Sequence, residues 1–172
     1  MNKRIILVGK AASGKDYFRD FLTICGLKIS ISHTTRPMRE GEANGVDYHF
    51  ISEYKFNSMI VEDEFFENKT FNGWQYGTAN AEIMGAEVFI FTPSGIRSLP
   101  NTFLDESYIV YFNIDEEYRL ARLLQRSDVD SIARRLKADE IDFLGFDEFD
   151  LEITNPKFCP QNLITVMNLN LN

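Results

Sequence analysis

The apolar residues of this chain come in short runs, and the stretches between them carry helical spacing. Residues 4–8 (RIILV) predict a buried strand, and the spacing of Tyr17, Phe18, Phe21, Leu22 and Ile24 predicts a helix over 15–25. β-prone runs recur at 28–32, 87–91 and 108–114, with a last short one at 151–154 before Asn155-Pro156. Helical patterns lie at 53–62, 80–84, 116–125 and 131–141. Strands alternating with helices predict an α/β fold, a parallel sheet with helices on both faces and ligands beyond the carboxyl ends of the strands. Two stretches depart from this rhythm. Between 32 and 78, turn-formers (Gly41, Asn44, Gly45) interleave with aromatic residues and arginines, which predicts an insertion carrying a second binding surface. From 139 to 152 the chain is acidic, with Phe143, Phe146 and Phe149 at three-residue spacing. That pattern predicts an amphipathic helix with an apolar stripe, or a partner surface, with Gly145 set against its continuity.

A length of 172 residues with 44% apolar content suits one domain with its own core, and no repeat, low-complexity tract or linker divides it. No apolar run is long enough to span a bilayer. The basic N-terminus passes straight into a glycine-bounded loop, so a secretory signal is not expected. Cys25 and Cys159 have neither redox nor metal-ligand spacing; buried, reduced thiols in a cytoplasmic protein are the expectation. His33 and His49 are too few for a histidine-rich metal site. A net charge of −8 argues against general nucleic-acid binding but allows a small anionic ligand where positive charge is local. It is local: Lys10, Lys15, Arg36 and Arg39 lie early, and Arg119, Arg122, Arg126, Arg134 and Arg135 late, while acids gather at 62–67 and 139–152.

The first candidate site is GKAASGKD, residues 9–16, between the first predicted strand and the first predicted helix. Glycines let the chain curl so that successive amides point at one anion, and a helix N-terminus adds partial positive charge there. The spacing fits the phosphate-loop pattern G-x-x-x-x-G-K-[S/T] except at the last position, which is Asp16. Gly9, Ala11, Ala12, Ser13 and Gly14 are thus candidates to cradle phosphates, with Lys15 on the outer ones. Asp16, in place of the usual hydroxyl, is a candidate ligand for a hard cation such as Mg²⁺. The simpler reading is a helix start capped by Ser13.

The second candidate lies in SHTTRPMREGEANGVDYHF, residues 32–50. Arg36 and Arg39 flank Pro37, so two guanidinium groups leave one stiff turn and can fork onto a phosphate, with the Tyr48 phenol returning to the same anion. Further on comes EFFENKTFNGWQYGT, residues 64–78, in which Glu67 precedes Tyr76 by nine residues. Together, S-x-T-T-R-x-x-R-x-G-E-x-x-G-x-D-Y-x-F and E-x₈-Y-G-[S/T] resemble the guanylate kinases, which move the terminal phosphate of ATP onto GMP or dGMP. The resemblance runs from the phosphate loop to Asn155 and is densest over 32–50. It implies a three-layer P-loop kinase fold with a parallel central sheet. The core would be 1–31 and 79–172, with a monophosphate-binding insertion at 32–78 and a helical lid near 115–136. It assigns Arg36, Arg39, Tyr48 and Tyr76 to the acceptor phosphate, and Ser32, Glu67 and Thr78 to the base. Guanine presents two adjacent donors that one carboxylate accepts, and an O6 that hydroxyls can reach. Adenine reverses this edge and would leave Glu67 without its donors.

Arg119, Arg122 and Arg126 recur at helical spacing near one face, before an expected mobile turn at 127–130. In the family this region is the lid; Arg122, Arg126 and Arg135 fall at the places that close over the triphosphate, with Arg134 an alternative register for Arg135. The resemblance makes Lys15, Arg39, Arg122 and Arg135 the catalytic set and puts Asn155 by the donor nucleotide. The bare reading of Ile153-Thr154-Asn155-Pro156 is a turn. Two departures stand out: Asp16, and Ile90 and Thr92 where guanylate kinases usually carry Asp-x-Asp. The expected partners are small nucleotides (ATP, GMP or dGMP) with Mg²⁺, without membrane or general nucleic-acid binding, in a monomer or homodimer. Two alternatives follow from the departures: a deoxynucleoside monophosphate kinase of altered or broad base preference, or a non-catalytic module binding a peptide in the acceptor groove. Retention of Lys15, Arg122, Arg126 and Arg135 favours an enzyme.

Overall fold

The computed structural model describes residues 4–71, 73–125 and 132–168. In chain order its elements are β1 (Arg4–Gly9), α1 (Lys15–Ile24), β2 (His33–Thr34), β3 (His49–Phe50), α2 (Glu53–Val61), β4 (Phe65–Phe71), β5 (Trp74–Ala79) and α3 (Asn80–Gly85). Then come β6 (Val88–Ile90), α4 (Pro93–Ile96), α5 (Asn101–Asp105), β7 (Ser107–Phe112), α6 (Glu116–Leu123), α7 (Ile132–Asp142), β8 (Leu151–Ile153) and α8 (Pro160–Val166).

Four strands form a parallel sheet in the order β6-β1-β7-β8. β1 is central and buried on both sides, because successive side chains point to opposite faces. Ile5 and Leu7 join Val110 and Phe112 against Phe18 and Leu22 of α1 and Leu163 and Ile164 of α8. Ile6 and Val8 join Phe89, Ile109 and Tyr111 on the other face, against Ile96, Phe103, Phe143 and Phe146. Two apolar clusters on the two faces make three layers, and each fully buried Phe or Leu contributes about 1.5–3 kcal/mol. The carboxyl end of β1 delivers Gly9, so the glycine-bounded loop falls where ligands of such sheets bind.

The second sheet, in the order β3-β2-β5-β4, is built wholly from residues 33–79. β4 and β5 form an antiparallel hairpin whose register shifts between Phe65 and Glu67, so that Phe65 packs on Phe56 of α2 while Phe66 meets Phe103 of α5. That irregularity turns the strand so that two successive aromatics serve different clusters.

Four expectations fail. The cysteines are not buried: both are free thiols, Cys25 half-buried and Cys159 exposed. The run 28–32 forms no strand; Ile29 makes a single bridge to Val88 before the chain leaves for the second sheet. The helix predicted over 139–152 ends with α7 at Asp142, and Gly145 follows at φ 66, a left-handed conformation that ends helices. The three phenylalanines nonetheless reach one target: Phe143, Phe146 and Phe149 surround the Tyr111 ring at 5.6, 5.1 and 5.3 Å. Their spacing reflects a loop wrapped around one side chain. Ser13 does not cap α1 either: the N-cap is Gly14, with no side-chain hydrogen bond.

Candidate active site

The loop from Gly9 to α1 is held by close approach and by unusual backbone. A Cβ at Gly9 would lie 2.6 Å from Ser13 Oγ and 2.9 Å from Phe112 Cβ, so only glycine lets the loop fold back on the end of β7. Ala12 sits at φ 60, a conformation that costs an L-residue about 1–2 kcal/mol. Gly14, at φ 97, takes the same region without that penalty and starts α1. Ser13 is wholly buried, and its hydroxyl has no hydrogen-bond partner. The first amides of α1 have no carbonyl of their own helix to bond and face the carboxyl end of the sheet.

Distant segments brace this loop. Asp139 of α7, almost fully buried, accepts the Ala11 N–H at 2.8 Å, so that amide is engaged by a carboxylate. Burial raises the Asp139 pKa, against the pull of the Ala11 hydrogen bond and of Lys15, Arg119 and Lys10. Arg119 of α6, also buried, donates to the Ile114 carbonyl at 2.9 Å and lies 3.6 Å from Asp139. Arg122 donates to the Ala12 carbonyl at 3.0 Å and to the Pro156 carbonyl at 2.7 Å. It lines a cavity of about 470 Å³ with Gly14, Asp16, Tyr17, Pro156 and Phe158. Asn155 is exposed and shapes this wall from behind: its Oδ1 accepts the Lys157 N–H at 2.9 Å, and its carbonyl accepts that of Phe158. Arg126 and the turn expected at 127–130 lie outside the described residues. The two adjacent arginines of α7 separate: Arg135 is buried, whereas the exposed Arg134 lies 4.5 Å over the Trp74 ring at the hairpin tip.

The residues expected to hold the acceptor come together on the second sheet. Arg36 is buried and forks onto Glu42, donating at 2.7 and 3.0 Å. Glu42 also accepts the Arg39 N–H at 2.8 Å and lies 3.8 Å from the Arg39 guanidinium. Thus one carboxylate gathers both arginines, and the Arg36 hydrogen bond holds it below its ordinary pKa although burial opposes this. Sequence reasoning assigned Glu42 nothing, yet its place three residues after Arg39 in R-E-G-E was the available signal. The Arg36 guanidinium also lies 5.4 Å from the Tyr48 ring, which meets Tyr76 at 6.0 Å. Burial raises the Tyr48 pKa, helped by Tyr76 and Asp16, so its hydroxyl is a donor at neutral pH. Asp16, at the start of α1, is one of the smaller causes of that rise. Arg19 of α1 links this helix to the acceptor segment with an ion pair to Asp47 at 3.5 Å.

Deeper in the same sheet, Thr78 donates to Glu67 Oε1 at 2.8 Å, and Ser32 Oγ lies 3.3 Å from Thr78 Oγ1. Thr78 is fully buried and Glu67 nearly so. Burial raises the Glu67 pKa, opposed first by the Thr78 hydrogen bond and then by Lys69. Of the positions that depart from the resemblance, Thr92 caps α4 by accepting the Gly95 N–H at 3.3 Å, with Pro93 at the first helical position. Among the described residues, no three His, Cys, Asp or Glu side chains cluster to hold a metal ion. That is compatible with Mg²⁺, which is commonly held by one or two carboxylates together with substrate phosphates. Asp16, on the cavity wall beside Lys15, offers one such hard oxygen. No described helix is long and apolar enough to cross a membrane.

A family model described as guanylate kinase matches residues 1–160. The chain is 35% identical over 138 residues to a guanylate kinase of Chlorobaculum tepidum, covering 75% of this chain and 71% of that protein. It is 32% identical over 166 residues to one of Nostoc, covering 91% and 83%, and 32% identical over 182 residues to one of Coxiella burnetii, covering 98% and 88%. In fold it matches the crystal structure of a guanylate kinase from Anaplasma phagocytophilum with a TM-score of 0.73, over 97% of this chain and 86% of that one. At 19% identity this last likeness speaks for the P-loop kinase fold alone.

Proposed function

The chain belongs to the guanylate kinase family, and we infer that it is an enzyme transferring the terminal phosphate of ATP to GMP, giving ADP and GDP. The observation that supports this reading is that the helix after the glycine-bounded loop touches the segment carrying the arginines and tyrosines expected to hold the acceptor. Arg19 of α1, the helix that begins at Lys15, pairs with Asp47 beside Tyr48, and Tyr48 packs against Tyr76 and Arg36. On this reading Arg36, Arg39, Tyr48 and Tyr76 hold the acceptor phosphate. Glu67 accepts the two adjacent donors of guanine, and the Ser32 and Thr78 hydroxyls serve O6. Because the base and phosphate carry recognition, dGMP is a second acceptor. A kinase of altered base preference and a peptide-binding module are not favoured, since the relatives that cover most of the chain are guanylate kinases.

Transfer asks for position and positive charge more than covalent chemistry. The loop amides and Lys15 orient the donor phosphates, and Arg122 fastens the loop to the cavity wall. Arg39 and Arg135 supply charge to the oxygens that become electron-rich during in-line displacement. The acceptor phosphate is already ionised at neutral pH, so no general base is needed. Mg²⁺, held by Asp16 and the phosphates, would neutralise charge on the donor. A helical lid closing over the bound phosphates would exclude water, which otherwise competes for the phosphoryl group.

A coupled assay of ATP with GMP, dGMP, AMP, dTMP and dCMP over a Mg²⁺ series tests the reading. Turnover with GMP and dGMP, and at least about 10³-fold less with AMP, is expected. Equal turnover with AMP would refute the role of Glu67. In the same series Asp16→Asn should need more Mg²⁺ than the parent; an identical requirement removes Asp16 as a ligand.

A further inference from the structure

Beside the base-reading residues lies a lysine that the mechanism does not use. Lys69 follows Glu67 by two positions on β4, beyond the register shift, so both side chains leave the same face of the strand. Across the ladder Glu67 pairs with Thr78 and Lys69 with Tyr76, which puts the lysine in the row of the acceptor residues. Its ammonium does not swing in solvent. It donates to Ser94 Oγ at 3.2 Å, and that hydroxyl lies 3.1 Å from Thr92 Oγ1. The Ser94 N–H in turn donates to Asp142, the last residue of α7, at 3.2 Å. Lys69 thus leaves the strand face that carries Glu67 and is tethered to Ser94, which α7 holds in turn. The charges acting on it are Asp142 from α7 first and then Glu67 on its own strand, with the Tyr76 phenol opposite on β5. Burial lowers the Lys69 pKa to about 8, so it remains a cation at neutral pH.

We propose that Lys69 is a positioning residue of the base-reading site: the fixed counter-ion that keeps the Glu67 carboxylate in the form accepting both donors of guanine. This rests on the reading of Glu67 given above. A buried carboxylate that takes up a proton becomes a donor on one oxygen and repels the guanine edge it should accept. Thr78 satisfies one Glu67 oxygen without adding charge; Lys69 supplies the positive field. One of the two substituted positions fits this arrangement. Thr92 stands where an acid is usual, and here the hydroxyl beside it, that of Ser94, accepts from the ammonium.

The test is the dissociation constant of GMP, measured without ATP from pH 5 to pH 8.5. The parent is compared with Lys69→Gln, which keeps a donor for Ser94 but loses the charge, with Lys69→Arg, which keeps the charge, and with Glu67→Gln. GMP binding should weaken as pH falls through the Glu67 pKa. In Lys69→Gln that midpoint should rise by about one pH unit, the scale of one charge two residues away at partial burial. The variant then binds GMP about tenfold more weakly on the acid side and converges with the parent by pH 8.5. Lys69→Arg should restore the parent profile, and ATP binding should not change in either. Loss by one constant factor at every pH would overturn the proposal, because a contact with the nucleotide or a packing role has no such pH signature. If Glu67→Gln leaves GMP affinity intact, the base-reading assignment fails and the proposal with it. If Glu67→Gln is weakened while the Lys69→Gln midpoint stays in place, only the proposal fails. A second neutral variant, Lys69→Met, serves should Lys69→Gln not fold.

Discussion

On the proposed function, the acceptor region and the donor region of this protein would each hold a nucleotide, by opposite means. The acceptor sheet is one continuous stretch of chain, and it works with side chains that are already paired: Arg36 with Glu42, Thr78 with Glu67, Tyr48 with Tyr76. The donor region is assembled from four distant stretches, the loop after β1, α6, α7 and the turn at Asn155, joined by contacts to main-chain atoms. A base has a pattern of donors and acceptors that only placed side chains can match, and a buried mismatch is expensive. A triphosphate presents charge and oxygen atoms, which amides and a helix start satisfy without reading anything. Selectivity should therefore fail when the acceptor side is damaged, and affinity for the donor when the other side is damaged.

The largest effect should come from Glu67→Ala, which is expected to lower kcat/KM for GMP by about 10³-fold or more while leaving the ATP dissociation constant within about twofold. Unchanged GMP kinetics would end the comparison. Its donor-side counterpart is Arg122→Ala, which frees the Ala12 and Pro156 carbonyls from their shared cation. ATP affinity should fall about tenfold to a hundredfold, the worth of charge-assisted hydrogen bonds, with GMP affinity unaltered. Isothermal titration with each nucleotide separates the two.

Smaller, and in stability, is Glu42→Gln. It should cost about 2 kcal/mol in urea unfolding, less than for a fully buried pair because Glu42 keeps some exposure. The folded state holds Glu42 below its ordinary pKa. The stability this carboxylate contributes is therefore present above its unfolded value, near 4.3, and lost as pH falls through the folded one. The parent should lose stability below about pH 4.3 more steeply than the variant. Smallest is Ala12→Gly. Relief of the left-handed alanine should raise stability by about 0.5–1 kcal/mol in a thermal melt, with ATP affinity held, provided that strain is local to the loop.

Much of the core was legible because its signals are local. The runs at 4–8 and 108–114 and the helix over 15–25 reappear as β1, β7 and α1 within a residue or two. An apolar alternation carries its own burial in the order of residues. The hairpin β4–β5 escaped, since FFENKTF shows no clean period: one face is buried only because Phe56 and the acceptor residues cover it. The short helices α4, α5 and α8 escaped too, being one or two turns long and dependent on contacts with the sheet.

What the order of residues determined by itself is chemistry held within one segment. The glycine-bounded loop and the paired arginines around Pro37 are expressed by spacing and residue type, whereas Ser32, Glu67 and Thr78 were singled out only by the family resemblance. Only the tertiary structure decided which charges meet across the chain. Asp139 takes an amide of the loop 128 positions earlier, Arg134 rather than Arg135 goes to Trp74, and Lys69 reaches Ser94. The reason is physical. A hydrogen bond between neighbours follows from backbone geometry, whereas a long-range ion contact exists only after hydrophobic burial has brought its segments together, and nothing in either segment alone encodes the distance.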